Sequence, residues 1–253
     1  MTESVRWRRC ANVEQLSRQA ACRIADTVRA RPGAVVGLAT GSTPQGTYAE
    51  LARMHRDEGL RFAGVRTFNL DEYRGLQGEH EQSYRCFMNE NLFCHVDIAP
   101  QNTHVLNGMA DDIAVECQAF EDQIAELGGI DLWLLGIGAN GHIAFNEPGS
   151  ESHSRTRLVD LAPETVVANS RFFTDSKDVP RQALTVGIGT ILEARHLLLL
   201  ATGASKAQAV ATALNEPANS SCPASLLQEH RDCTFLVDAA AAAALGESPE
   251  TSL

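Results

Sequence analysis

The sequence predicts an α/β fold, with a single open, mostly parallel, twisted sheet and helices on both faces, as in Rossmann-like proteins. Short apolar runs alternate with longer amphipathic segments through the whole chain of 253 residues, which is the pattern of successive βαβ units. Several runs are apolar throughout, as expected of parallel strands that are buried on both faces. With 44% hydrophobic residues, the chain can enclose one large core, so we expect a single domain over residues 1–253.

Seven strands and five helices account for this alternation. The strands are predicted at Val5–Cys10, Ala34–Ala39, Val65–Leu70, His104–Leu106, Asp131–Ile137, His196–Ala201 and Thr234–Val237. The helices are predicted at Val13–Ala30, Thr43–Asp57, Ser83–Phe93, Asp111–Leu127 and Ser205–Leu214. Thr43-Pro44 puts proline at a first helical position, and Asp111-Asp112 puts carboxylates at the positive end of a helix dipole. The alanine run Ala239–Ala244 predicts a terminal helix, since alanine is the best helix former.

The stretch from Gly149 to Val179 departs from the regular alternation. It is polar and rich in Ser, Arg and Asp. Long excursions of this kind in compact domains are often lids over a functional site. An ordered surface excursion with short helices is the alternative, and the sequence leaves both open.

Charge and composition exclude several classes of partner. The net charge of −11 disfavours nucleic acid, but a local cluster of amides and bases could still bind a small phosphate. The seven cysteines are scattered and never form C-x-x-C, which fits reduced thiols. The N-terminus has no apolar signal core and no run approaches a membrane span. We therefore expect a cytoplasmic protein without a membrane partner.

A candidate anion site follows the second predicted strand. The loop Leu38–Pro44 opens a helix and carries Thr40, Gly41, Ser42 and Thr43, so free amides and hydroxyls face outward at the positive end of a helix dipole. The loop matches neither nucleotide-binding glycine pattern, which favours a sugar phosphate; a plain strand-to-helix turn is the alternative. Two cations could reach the same anion, although each alone is more often a solvated surface charge: Arg171 and Lys206.

Two adjacent carboxylates, Asp71 and Glu72, end the third predicted strand. A carboxylate in a partly desolvated site can abstract a proton from carbon, and the end of a central strand provides such a site. The alternative is that Asp71 only caps the next helix.

His142 has the most credible setting of the eight histidines. It follows the apolar run Asp131–Ile137 in a glycine-rich loop, with Asn140 and Glu147 close in sequence. The spacing matches no zinc pattern and the other histidines have no clustered partners, so we expect no metal site. A structural histidine that bonds a turn is the alternative.

Together these segments resemble one family, the glucosamine-6-phosphate deaminases, also called isomerases. The resemblance covers nearly the whole chain and rests on Leu38–Pro44, Phe68–Tyr73, Gly138–Pro148, Ser154–Arg157, Ala168–Phe173 and Ala183–Gly187. It implies conversion of glucosamine 6-phosphate to fructose 6-phosphate and ammonia, with water as co-substrate and no metal or organic cofactor.

The resemblance also implies roles for single residues. Asp71 would move a proton between C2 and C1, and His142 would open the sugar ring while Glu147 orients and tunes its imidazole. The remaining residues would contact the substrate: Thr40, Gly41, Ser42, Thr43, Arg171 and Lys206 at the 6-phosphate, and Glu72 and Gly138 near the sugar.

Two positions depart from the family pattern. Asn140 stands where many members have Asp, so we expect Asn140 to orient His142 and Glu147 to carry the electrostatic part. Val159-Asp160 stands where members activated by N-acetylglucosamine 6-phosphate have Lys-Thr. We expect this chain to lack that activation, because an acid repels a phosphate.

Three other functions compete with deamination of glucosamine 6-phosphate. The related 6-phosphogluconolactonases share the fold and phosphate loop, and release of ammonia separates the two activities. A sugar-phosphate sensor would need a DNA-binding module, which we do not find in the sequence. A galactosamine-6-phosphate deaminase differs at one epimeric centre that no motif reads. The chain could act as a monomer or a homo-oligomer.

Overall fold

A seven-stranded sheet, parallel throughout, forms the centre of the computed structural model, which describes residues 5–170, 173, 175 and 179–246, without the side chains of 168 and 169. Its order is β1-β10-β9-β6-β2-β3-β5. The strands are β1 (Val5–Cys10), β2 (Val35–Leu38), β3 (Arg66–Asn69), β5 (Thr103–His104), β6 (Leu132–Gly136), β9 (His196–Ala201) and β10 (Cys233–Asp238). The predicted mostly parallel α/β sheet is confirmed, with each strand end within two residues of its predicted position.

Helices cover both faces of this sheet. They are α1 (Val13–Ala30), α2 (Gln45–Glu58), α3 (Tyr84–Asn91), α4 (Ile113–Glu126), α5 (Pro163–Asn169), α6 (Ile188–Leu192) and α7 (Ala207–Asn215). Successive side chains of a strand point to opposite faces, and accordingly Leu134 and Leu198 join the apolar cluster under α1 and α2, whereas Trp133 and Leu197 join the cluster under α4 and α7. The two layers of core hold the central strands, and therefore their ends, in fixed positions.

A second, three-stranded antiparallel sheet was not predicted. It consists of β4 (Asp71–Tyr73), β8 (Gln182–Thr185) and β7 (Arg157–Asp160), in the order β4-β8-β7. A single residue, Leu70, separates β4 from β3, so the chain passes directly from the central sheet into the small one. The polar stretch 149–179 contains β7, the edge strand of this sheet, and α5, which packs against the sheet through Val166. Its function as a lid stays a prediction.

The predicted terminal helix at Ala239–Ala244 is wrong. These residues form successive turns, although the Asp238 carboxylate accepts from the amide of Ala241 as a helix N-cap would. Ala241 and Ala242 are buried in the core, so tertiary packing overrides the helix propensity of alanine. Of the two marked helix starts, Asp112 caps α4 through the amides of Ala114 and Val115, whereas Pro44 precedes α2 instead of occupying its first turn.

No helix in the described part of the chain combines the length and apolarity needed to cross a bilayer.

Candidate active site

A cavity of about 1010 Å³ opens at the carboxyl ends of the central strands. Ligands of open α/β sheets bind at this edge, outside the carboxyl ends of the strands. The cavity brings together nine of the residues singled out in the sequence: Thr40, Gly41, Ser42 and Thr43 after β2, Asp71 after β3, Gly138, Asn140 and His142 after β6, and Lys206 after β9. Arg171, predicted at the phosphate, lies outside the described residues.

Two loops form the end of the cavity that is predicted to bind an anion. The first turn of α2 has no side-chain cap, so its amides remain available to an anion, and Gly41 adopts a φ of +98° that favours glycine. The hydroxyl oxygens of Thr43 and Thr202 lie 3.3 Å apart and join this loop to the loop that carries Lys206. The Asp238 carboxylate supports that second loop, since both of its oxygens accept from the amide of Gly203 at 3.1 Å.

Asp71 provides a buried carboxyl group in the cavity. Its residue is 7% exposed, and no group among the described residues donates a hydrogen bond to its side chain. Burial, and secondarily the charge of Glu72, raises the pKa of Asp71 from 3.8 to about 8. The site therefore holds a carboxyl group that lacks a counter-charge and faces the space where a substrate would bind.

Glu72 is not among the residues that line the cavity, and its substrate contact stays a prediction. Its carboxylate accepts hydrogen bonds from the amides of Tyr73, Tyr84 and Arg85 and from the hydroxyl of Ser83, at 2.9–3.1 Å. Burial raises the pKa of Glu72, and these four donors oppose that rise. Alternation along β4 separates the two acids, so the capping role considered for Asp71 belongs to Glu72, at the start of α3.

His142 and Glu147 form a pair beside the cavity. The Nδ1 atom of His142 lies 3.3 Å from Oε2 of Glu147, without the alignment of a hydrogen bond. The Nδ2 atom of Asn140 donates to the same Oε2 at 2.8 Å, and the Thr165 hydroxyl donates to Oε1. Burial raises the pKa of Glu147, but the contacts with His142, Thr165 and Asn140 outweigh it and lower the pKa to about 2.

Asn140 acts on this pair differently from the expectation. Its Oδ1 atom accepts from the backbone amide of His142 at 3.2 Å, not from the imidazole. The Asn140 side chain thus holds both the loop and the Glu147 carboxylate, and of these two side chains it is Glu147 that faces the imidazole. Because Asn140 is neutral, Glu147 supplies the negative charge beside His142.

Glycines allow this loop to fold tightly. A Cβ on Gly138 would lie 2.4 Å from the His142 ring, and a Cβ on Gly141, where φ is +86°, would lie 2.6 Å from the Cys222 sulfur. Ala144 also has a positive φ, of 50°, and lines the cavity. The imidazole therefore packs directly on the backbone of Gly138.

Thr165 and Thr202 are site residues that the sequence did not reveal. Thr165 lies in α5, inside the polar stretch whose fold the sequence left open. No motif indicates its contact with Glu147, which lies eighteen residues earlier. Thr202 directly follows β9, and its position at a strand end is the signal that could have found it.

A second cavity, of about 970 Å³, lies between α4, β7 and α6 and shares no lining residue with the first. Arg155 lines this second cavity and pairs with Glu121 and Glu193.

Among the described residues, no three His, Cys, Asp or Glu side chains lie close enough together to hold a metal ion.

The comparisons with known proteins agree with this geometry. The sequence model of the family described as glucosamine-6-phosphate isomerases/6-phosphogluconolactonase matches residues 9–236. Glucosamine-6-phosphate deaminase 1 of Giardia intestinalis is 57% identical over 217 residues, which are 85% of this chain and 82% of that protein. The glucosamine-6-phosphate deaminase of a Geobacillus species is 50% identical over 228 residues, or 90% and 91% of the two chains.

Two solved structures show the same fold. A protein described as a monomeric glucosamine-6-phosphate deaminase superposes with a TM-score of 0.93 at 46% identity, over 94% of this chain and 99% of that one. The 6-phosphogluconolactonase of Trypanosoma brucei superposes with a TM-score of 0.75 at 25% identity, over 95% and 98%.

Proposed function

Because the chain belongs to the family of glucosamine-6-phosphate isomerases and 6-phosphogluconolactonases, we propose that it converts glucosamine 6-phosphate and water to fructose 6-phosphate and ammonia. Relatives of 48–57% identity carry the name of that deaminase. The observation that carries the proposal is Asp71, a buried carboxyl group without a donor, in one cavity with His142 and the anion loops. Water is consumed as ammonia is released, so the reaction is a hydrolytic deamination, and the proposed steps need no metal ion or cofactor.

Binding begins at the phosphate. Residues Thr40–Thr43 offer amides and hydroxyls, and Lys206 offers its ammonium group from the facing loop. Contacts with a remote, non-reacting phosphate orient the sugar carbons at the other end of the cavity. We propose Arg171 as a further phosphate contact, on the resemblance alone.

His142 opens the ring in the proposed mechanism. The imidazole takes the proton from O1 and returns a proton to O5, which gives the open aldose. Its cationic form is supported by the Glu147 carboxylate, 3.3 Å from Nδ1 and ionised at neutral pH. An imidazole has one nitrogen that donates and one that accepts, which suits proton transfer in both directions.

Asp71 then takes the proton from C2 and delivers it to C1 through an enol-type intermediate. One proton of the ammonium group at C2 passes to O1, so that C1 becomes an alcohol and C2 an iminium. Water hydrolyses this iminium to the ketose, and ammonia leaves in its protonated form. Asp71 must be ionised to accept the proton from C2, and in the empty cavity its pKa is about 8. The substrate's ammonium group at C2 brings the missing counter-charge, and an opposite charge within a few ångströms lowers the pKa of a carboxyl group.

The positive charge of the substrate thus promotes ionisation of Asp71. This need for a neighbouring cation favours an amino sugar over 6-phosphogluconolactone, which has no cation to place beside Asp71. It does not separate glucosamine 6-phosphate from its galactosamine epimer, which would carry the same ammonium group.

The test is release of ammonia and fructose 6-phosphate from glucosamine 6-phosphate, with the wild type beside Asp71→Asn. We expect turnover by the wild type and a loss of at least about a hundredfold in the variant, as for removal of a general base. Hydrolysis of 6-phosphogluconolactone without release of ammonia would replace the deaminase proposal with the lactonase. Galactosamine 6-phosphate, assayed in parallel, decides the epimer.

We also propose that the enzyme is cytoplasmic, acts as one domain over residues 1–253 as a monomer or homo-oligomer, and lacks activation by N-acetylglucosamine 6-phosphate. The last proposal is supported by Asp160, which lies exposed on β7 and accepts from Nε2 of Gln182 at 2.9 Å. A sigmoidal substrate curve that the acetylated sugar phosphate made hyperbolic would contradict it.

A further inference from the structure

Helix α5 contacts the proposed catalytic pair through the side chain of Thr165. This residue is 6% exposed and donates its hydroxyl proton to Oε1 of Glu147. Its neighbours Glu164 and Val167 also line the cavity, and Val167 is 72% exposed. The helix therefore forms part of the cavity mouth and is bonded at Thr165 to a carboxylate that faces His142.

The two oxygens of Glu147 have separate partners. Oε2 receives Nδ2 of Asn140 and faces Nδ1 of His142, both from the loop after β6. Oε1 is held from α5, a different element of the chain. The Glu147 side chain is 14% exposed, so water cannot easily replace either partner. The orientation of the carboxylate beside the imidazole thus depends on where α5 lies.

Other titratable groups surround this pair, and none of them replaces the Thr165 contact. They are Asp71 and Lys206 across the cavity, Glu164 on α5, Arg157 bonded to Oδ1 of Asn146, and Cys222 behind Gly141.

We propose that Thr165 is a positioning residue, which holds the Glu147 carboxylate and thereby couples the seating of α5 at the cavity mouth to the protonation of His142. The inference rests on the proposed function, in which His142 opens the sugar ring.

Removal of the Thr165 hydroxyl should shift the protonation of His142 in one direction. Without Thr165 as donor, Oε1 is a buried carboxylate oxygen that lacks a partner, and the nearest remaining compensation for its charge is a proton on His142. The imidazolium is then favoured, and His142 gives up its proton only at higher pH. A histidine locked in the cationic form cannot take the proton from O1.

The experiment compares Thr165→Val, which keeps the shape but lacks the hydroxyl, with Thr165→Ser, which keeps the hydroxyl. The matched control is Thr190→Val, which removes a similar bond from a threonine hydroxyl to a carboxylate, that of Glu121, at the second cavity. The His142 ring is titrated by NMR in the free enzyme, with its signal assigned by its loss in His142→Gln. The pH dependence of kcat, which reports the enzyme–substrate complex, is then measured for each variant.

We expect the Val variant to raise the titration midpoint of His142 by about half a pH unit or more. The acidic limb of kcat should move to higher pH with it, because bound substrate keeps Asp71 ionised, whereas the Ser variant and Thr190→Val should match the wild type. A merely structural defect would lower kcat without moving either midpoint, and that result would overturn the proposal. If the wild type released no ammonia, the deaminase proposal would fail, while the NMR titration would still decide whether Thr165 controls His142.

Discussion

Asp71→Asn is expected to inactivate the enzyme and, at neutral or alkaline pH, to stabilise its fold. Asp71 is buried without a donor, and its pKa rises from 3.8 to about 8 on folding. Between these values the folded state keeps a proton that the unfolded state releases, so the stability that the neutral acid provides is present below about pH 4 and is lost as the pH rises to about 8.

The magnitude follows from the same two values. At about 1.36 kcal/mol per unit of pKa, a rise from 3.8 to about 8 corresponds to at most about 6 kcal/mol. Asparagine at position 71 has nearly the same shape and never ionises. Relative to the wild type, its free energy of unfolding should therefore increase with pH by several kcal/mol, up to that limit.

The assay is urea unfolding at a series of pH values from about 5 to 9, with the midpoint compared at constant slope. Glu72→Gln is the matched control, because Glu72 adjoins Asp71 in the same strand but accepts four hydrogen bonds. An amide there leaves buried donors unpaired, so this variant should be destabilised throughout. The reasoning is refuted if the advantage of Asp71→Asn does not grow with pH, or if both variants change stability in the same direction.

Three further substitutions test the rest of the site. Glu147→Gln removes the charge that faces His142, so His142 should titrate at lower pH and kcat should fall by about tenfold or more; unchanged kcat and pH profile would contradict the assigned role of Glu147. Gly138→Ala puts a Cβ 2.4 Å from the imidazole and should lower kcat, whereas Gly33→Ala, whose Cβ meets nothing closer than 3.9 Å, should leave kcat and KM at wild-type values. Lys206→Met should raise KM and weaken inhibition by inorganic phosphate by about tenfold or more, and equal inhibition of both proteins would place the phosphate elsewhere.

The sequence was sufficient to predict the central sheet and most of the cavity. Apolar runs identify strands that are buried on both faces, and the polar residues that follow such runs meet at one edge of a parallel sheet. Asp71, His142 and Lys206 were found in this way, although they are far apart in the chain. The prediction needed no knowledge of the loops, because the sheet alone brings its strand ends together.

Contacts that depend on the small sheet could not be predicted. Strand β4 has three residues and pairs with β8, more than a hundred residues later. Alternation places Asp71 and Glu72 on opposite sides of β4, but it does not say which side faces the cavity. For this reason the sequence does not show that Glu72 lies outside the cavity lining. Thr165 was missed because its value lies in a contact between α5 and the loop after β6, which no local pattern records.

Asp71 and Glu72 also show how the fold places a buried carboxyl group beside a second one. An ionised carboxylate buried beside another costs several kcal/mol unless donors compensate it. Among the described residues, four groups donate to Glu72, three of them at the start of α3, and none donates to Asp71. In the proposed mechanism Glu72 therefore carries the negative charge, which helps to keep Asp71 protonated until the cationic substrate binds. The capped helix thus contributes to the proposed catalysis without contacting the substrate, because it determines which of the two carboxylates is free to accept a proton.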